Sequence, residues 1–214
     1  MIEVKDGEVA EVQEGDIAQI QHGGDAWVKD GGIAFVYEGG KATVLAGGKV
    51  TIHEGGEVDL YDGGEAEVHK DGKATVQEGG RAIVFDGGQA EVLYDGYVMV
   101  QDGGVVGVQT GGDAVVKHGG MAFVYEGGYA EVQDGGRAMV EEGGYAKVLD
   151  GGKVEVFDGG EATIQHGGQA TVRDGGWVEV CSDGKATVYP GGEATGFGEI
   201  THAELPTEDL APNI

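Results

Sequence analysis

The sequence predicts an all-β protein, a parallel β-solenoid, and three observations carry that expectation. From Met1 to Gly192 the chain is a gapless array of 24 octads with the pattern x-[A/V]-x-V-x-[D/E]-G-G. Inside each octad apolar residues alternate with polar ones, the period of a strand with one buried face. Glycine, 46 of 214 residues, recurs at the end of every octad, while proline is limited to 3. Glycine at that level without proline excludes collagen, and 40% apolar content excludes a disordered linker.

Each strand occupies the first four positions of an octad. The fourth is Val, Ile or Leu in all 24 (Val4, Val12, Ile20 and onward to Val188), and the second is Ala in 17 and Val or Ile in seven. Positions one and three are mostly Lys, Glu, Thr or Gln, which assigns them to solvent. The closing GG or DG supplies positive φ for a tight corner. A helix would lose roughly 2 kcal/mol per octad to its two glycines relative to alanine. Strand, corner, strand, corner is the signature of a solenoid.

Eight residues cannot close a coil around a core, so each octad forms one side of a polygon. Sorting the sixth position by octad number modulo three gives acids at eight of eight, six of eight and one of eight positions in the three classes, whereas sorting modulo two separates nothing. Position two is Ala throughout the third class, and aromatics recur at 24-residue spacing, as in Tyr37, Tyr61 and Phe85. The expected architecture is therefore a three-sided solenoid of about 24 residues per coil and eight coils. At about 4.8 Å per strand it would be roughly 38 Å long. Residues 1–192 form this repeat domain. Residues 193–214, where the octad fails, are expected to be a C-terminal cap or dimerisation tail, with Phe197, Ile200, Leu205, Leu210 and Ile214 available to cover the last coil.

Thirty-nine acids against 13 bases give a net charge of −26. That balance argues against direct contact with nucleic acid or an anionic membrane, and points to basic partners. The first residues lack a signal-peptide core and no run reaches the roughly 18 apolar residues of a membrane span. With Cys181 as the one cysteine, the expected location is the cytoplasm.

In the three-sided arrangement the first class places Asp30, Glu54, Glu78, Asp102, Glu126, Asp150 and Asp174 along one edge. The second places Glu38, Asp62, Asp86, Asp134 and Asp158 along another. Stacked like charges oppose folding, so these columns are candidates for a partner-binding surface. The repeat region carries 34 acids and 13 bases, net −21. Over roughly 38 Å that is close to the duplex density of one charge per about 1.7 Å. In style the chain resembles the pentapeptide-repeat proteins, acidic four-sided β-solenoids of which some mimic DNA. The resemblance is architectural and implies no particular target. It is also similar to autotransporter passengers in its glycine-cornered repeats, but lacks their abundant Ser, Thr and Asn.

The functional expectation is a non-enzymatic inhibitor of anti-defence type, an acidic rod occupying the cleft of a basic nucleic-acid-binding protein. The alternative is a structural or adhesive solenoid, a phage fibre or surface protein, with acidic corners for solubility. A second candidate surface is the outward cluster Tyr97, Met99, Met121, Phe123, Tyr125, Tyr145 and Leu149, which the 24-residue period puts on one face as a homodimer or docking patch. No catalytic residues or cofactor are expected: no phosphate-binding or dinucleotide motif occurs, and the six histidines read as exposed corners. The calcium-binding nonapeptide of RTX β-rolls is absent, which disfavours a calcium site.

Overall fold

A computed structural model describes residues 1–204, and in it every octad forms a strand where the alternation places one. Strands β1 (Ile2–Val4) and β2 (Val9–Val12) are followed at eight-residue intervals by strands from β3 (Ile17–Ile20) to β24 (Lys185–Val188). Each strand pairs in parallel with the strand two places on, not three. Val4 lies beside Ile20, Val12 beside Val28, and Val100 beside Val116. The coil is therefore 16 residues, with two sides. All odd-numbered strands form one 13-stranded sheet and all even-numbered strands a second.

This corrects the three-sided, eight-coil expectation: the protein is a two-sheet solenoid of about 13 coils, roughly 60 Å long at about 4.8 Å per strand. The physical reason lies in the core. Position-four residues from Val12 to Val180 are fully buried, and position two is mostly alanine at or below a tenth exposure. One Ala and one Val per strand fill the gap between two facing sheets. A triangular coil of the same residues would enclose a wider interior and leave voids, which close-packed proteins avoid. Among the described residues Leu60 is the one leucine in the core; it lies between Val44 and Val76 in the stack.

The two closing glycines serve different ends. The seventh residue has positive φ, for example +73° at Gly23 and +74° at Gly119, as the third residue of a tight turn requires. Asp replaces it at Asp71, Asp95 and Asp183 with φ of 59°, 62° and 65°, since Asp tolerates the left-handed region. The eighth glycine is demanded by space. Its N–H donates to the fifth residue's carbonyl, as Gly24 N to Gln21 O at 2.9 Å. A Cβ on Gly24 would fall 2.6 Å from the Val4 carbonyl oxygen of the preceding coil.

That constraint is absent in the first coil, and there the sequence departs from it: Glu8 and Asp16 occupy the eighth position. In later coils the fifth residue's N–H donates to the coil before, as Gln21 N to Val4 O at 2.9 Å. Lys5 and Gln13 have no coil before them. Their N–H groups donate instead to Glu8 Oε2 at 2.8 Å and Asp16 Oδ2 at 3.2 Å. These two acids close the N-terminal edge of the solenoid. Replacing both with alanine should raise amide hydrogen exchange at Lys5 and Gln13 selectively and fray the first coil, since each exposed bond is worth about 1 kcal/mol. Unchanged exchange at those amides would contradict the capping role.

The octad break after Gly192 does not end the sheets. β25 (Glu193–Gly196) and β26 (Glu199–His202) add one more coil, with the intervening corner shortened by two residues. Phe197 is 97% exposed, so it covers nothing, while Ile200 packs against the core. Leu205, Leu210 and Ile214 lie outside the described residues.

Candidate interaction surfaces

A two-sided coil has two edges and two flat faces, and all candidate residues redistribute over them. The edge following the first sheet carries, coil by coil, Asp6, His22, Glu38, Glu54, Lys70, Asp86, Asp102, His118, Asp134, Asp150, His166 and Ser182. Glu38, Glu54, Asp86, Asp102, Asp134 and Asp150 thus stand as three adjacent pairs separated by a lysine or histidine. The opposite edge holds Glu14, Asp30, Asp62, Glu78, Glu126, Glu142, Asp158 and Asp174, interrupted by Ala46, Tyr94, Thr110 and Pro190.

The 24-residue charge period is real, but on a 16-residue coil it becomes an alternation along each edge, repeating every 48 residues. On the first edge its physical effect is to break up the like-charge stack, whereas on the opposite edge Glu126, Glu142, Asp158 and Asp174 follow one another in four successive coils. His118 Nδ1 sits 3.5 Å from Asp102 Oδ1, and His166 Nδ1 lies 3.1 Å from Asp183 Oδ2. The aspartates also have a local role. Asp6, Asp30, Asp134, Asp150, Asp158 and Asp174 fold their carboxylates along the edge, over the seventh-position glycine of the next coil.

The longer rod changes the charge arithmetic. A net −21 over the repeat region is now about one charge per 3 Å, roughly half the duplex density.

The predicted apolar patch is not one surface, because the period that united it is not the coil. Tyr97, Met99 and Tyr145 belong to the first sheet, with Leu149 at its edge, and Tyr145 is three coils from Tyr97. Met121 and Phe123 belong to the second sheet, with Tyr125 beside it. On that second face Phe123 lies beside Gly107 and Met139, and Tyr125 reaches toward Gly107. The predicted aromatic spacing is corrected likewise: Tyr61 lies across the rod, and the true stack runs at 16 residues. It comprises Tyr37, His53, His69 and Phe85, with ring centroids 5.0, 6.0 and 4.9 Å apart and planes within 16°. The signal was present as four rings in one column, but is visible only once the coil length is known.

Both faces are ladders of polar and charged side chains between these apolar groups. Lys41 Nζ lies 3.0 Å from Glu57 and Lys49 Nζ 2.9 Å from Glu65, each across adjacent strands. The Lys41 ammonium, hydrogen-bonded to Glu57, holds that carboxyl below its usual range, and Glu57 raises Lys41 in return. A depressed carboxyl stabilises the fold above its unfolded value, and that contribution is lost as pH falls through the folded value. Among the described residues no group of three or more His, Cys, Asp and Glu is arranged to hold a metal ion.

No protein-family model matches the chain, and no curated protein matches it in sequence. Solved structures are similar in fold to this chain. The crystal structure of the TibC-catalysed, hyper-glycosylated TibA55-350 fragment aligns with a TM-score of 0.71 at 25% identity, over 94% of this chain and 95% of that one. The shared feature is the long parallel β-solenoid itself.

Proposed function

We propose that the chain is a non-enzymatic binding rod for basic partner proteins. The observation that carries this reading is the distribution of charge. The corner positions of the repeats carry 21 acids and five bases, net −16, along two straight edges roughly 60 Å long, and most of the bases sit on the faces instead, as Lys41, Lys49, Lys147 and Lys185 do. Long-range attraction from such edges accelerates encounter and makes it salt-sensitive. Mimicry of duplex nucleic acid is the narrower form of this reading; it rests on the paired edge acids and is weakened by the halved charge density.

The test uses affinity capture of basic proteins from cell extract on the immobilised chain, with rising salt and with competing duplex DNA. Retention lost between about 50 and 200 mM salt supports the reading, and displacement by DNA supports its narrower form. Asp86, Asp102, Asp134 and Asp150 changed together to Asn should lower retention severalfold while leaving stability equal or higher, because stacked like charges are removed. Retention that ignores both salt and these substitutions would overturn the proposal.

A second reading is favoured by the likeness to the TibA fragment, which extends over nearly all of both chains. In that reading the rod is a structural or adhesive surface element, with the corner acids serving solubility. It predicts no salt-sensitive basic partner.

A further inference from the structure

The first sheet bears one column of outward side chains whose chemistry changes in units of three coils. At its first position, successive first-sheet strands present Lys49, Glu65, Arg81, then Tyr97, Asp113, Tyr129, then Tyr145, Glu161, Trp177. In every unit the middle residue is an acid. In the first unit its neighbours are cations, and Glu65 is paired with Lys49 at 2.9 Å. In the other two units both neighbours are aromatic. Among the described residues neither Asp113 nor Glu161 has a basic partner, and both are exposed.

The rings on either side act as walls. Tyr129 and Tyr145 stack with centroids 5.9 Å apart and planes 17° from parallel, so they stand across the rod as a partition. Asp113 is the neighbour of Tyr129 on its other side and Glu161 that of Tyr145, and the Tyr145 hydroxyl is anchored 2.7 Å from Thr163 Oγ1 on the Glu161 strand. Two coils separate the walls of each slot, about 10 Å. An acid between aromatic walls is the setting in which a guanidinium gains both a charged hydrogen bond and a ring face. The protein already contains one arginine held this way: Arg173 bonds Glu155 at 2.6 Å and lies 4.6 Å over the Tyr189 ring of the next coil.

We propose that these two slots, Tyr97–Asp113–Tyr129 and Tyr145–Glu161–Trp177, bind arginine side chains of an extended basic segment of a partner protein. The proposal rests on the basic-partner reading above and names its site. The slots are three coils apart, about 14 Å, and an extended chain advances about 3.4 Å per residue. Arginines at i and i+4 therefore span about the same distance, and both point from the same side of a strand.

The experiment measures binding of fluorescent, end-capped nonapeptides rich in Val and Thr to the full chain at fixed ionic strength. One peptide carries arginines at i and i+4, one at i and i+3, and one has glutamines in place of both arginines. The i, i+4 peptide should bind at least fivefold more tightly than the i, i+3 peptide, and the glutamine peptide should not bind measurably. Asp113→Asn with Glu161→Gln should weaken the i, i+4 peptide at least tenfold, and Tyr129→Thr severalfold. Asp102→Asn with Asp150→Asn, on the edge, should change it less than threefold.

All substitutions are at solvent-facing positions, and circular dichroism identifies any that unfold the rod, in which case Tyr97→Thr replaces Tyr129→Thr. Equal loss from edge and slot variants, or no preference between the two spacings, would overturn the slots while leaving a basic-partner rod in place. No binding of either arginine peptide would overturn the slots as well, and basic-protein capture decides the wider reading separately.

Discussion

Gly112→Ala is expected to destabilise the solenoid by about 3 kcal/mol or more, read as a fall in the denaturant midpoint. Gly112 is an eighth-position glycine in the middle of the rod. A Cβ there would lie 2.5 Å from the Val92 carbonyl oxygen and 2.8 Å from its carbon. Both atoms are backbone in the preceding coil, and that carbonyl accepts the Gln109 N–H at 2.9 Å. Relief therefore requires the coils to move apart, with loss of ladder hydrogen bonds. The contrasting substitution is Gly111→Asn, one residue earlier. Its φ is +74° and the nearest atom to a Cβ would be 3.5 Å away, and three aspartates already occupy this position elsewhere. Asn there should cost less than about 1 kcal/mol. Equal effects at the two positions would show that both glycines serve conformation and that the close coil approach is not limiting.

Leu60→Ala is expected to cost about 2 to 5 kcal/mol, within the range for buried leucines. Leu60 is fully buried and, among the described residues, is the one leucine in a core otherwise built from Val, Ala and Ile. Each coil of a solenoid touches only its neighbours, so the cavity weakens the interfaces to the coils of Val44 and Val76. The consequence is local as well as global. Hydrogen exchange should rise most around residues 57–64 and fall off within a few coils on either side, rather than rising uniformly. A uniform rise with a single sharp transition would mean that the rod unfolds as one cooperative unit.

The strands, the corners and the buried positions were legible in the sequence because each depends on neighbours along the chain. The alternation Ala, x, Val is the strand's own period of two, and Gly at the seventh position answers a local turn. The slots were present too, since Asp113 and Glu161 occupy the same octad position as Glu65, with aromatics 16 residues to either side. They could not be assembled without knowing that 16, not 24, separates stacked neighbours.

The coil length was misread because the strongest long period in the chain does not measure the number of sides. Acids at Asp86 and Asp102 followed by His118, then Asp134 and Asp150 followed by His166, record a rule about what each corner can tolerate from the corner above and below. Both edges carry nearly the same number of acids, seven and eight of twelve, so sorting by two sides averages the pattern away and sorting by three brings it out. What decides the number of sides is volume, the fit of one Ala and one Val per strand between facing sheets, and volume has no period.

The second glycine was read as conformational for a related reason: its constraint comes from the carbonyl of another coil, as Val4 constrains Gly24. Glu8 and Asp16, the exceptions, carried the clue, because only in a first coil is that carbonyl missing. What this sequence determined by itself was thus every interaction within one octad and the sign of the rod's charge. The tertiary structure alone decided which octads are neighbours, and with that the edges, the faces and the spacing of any partner they hold.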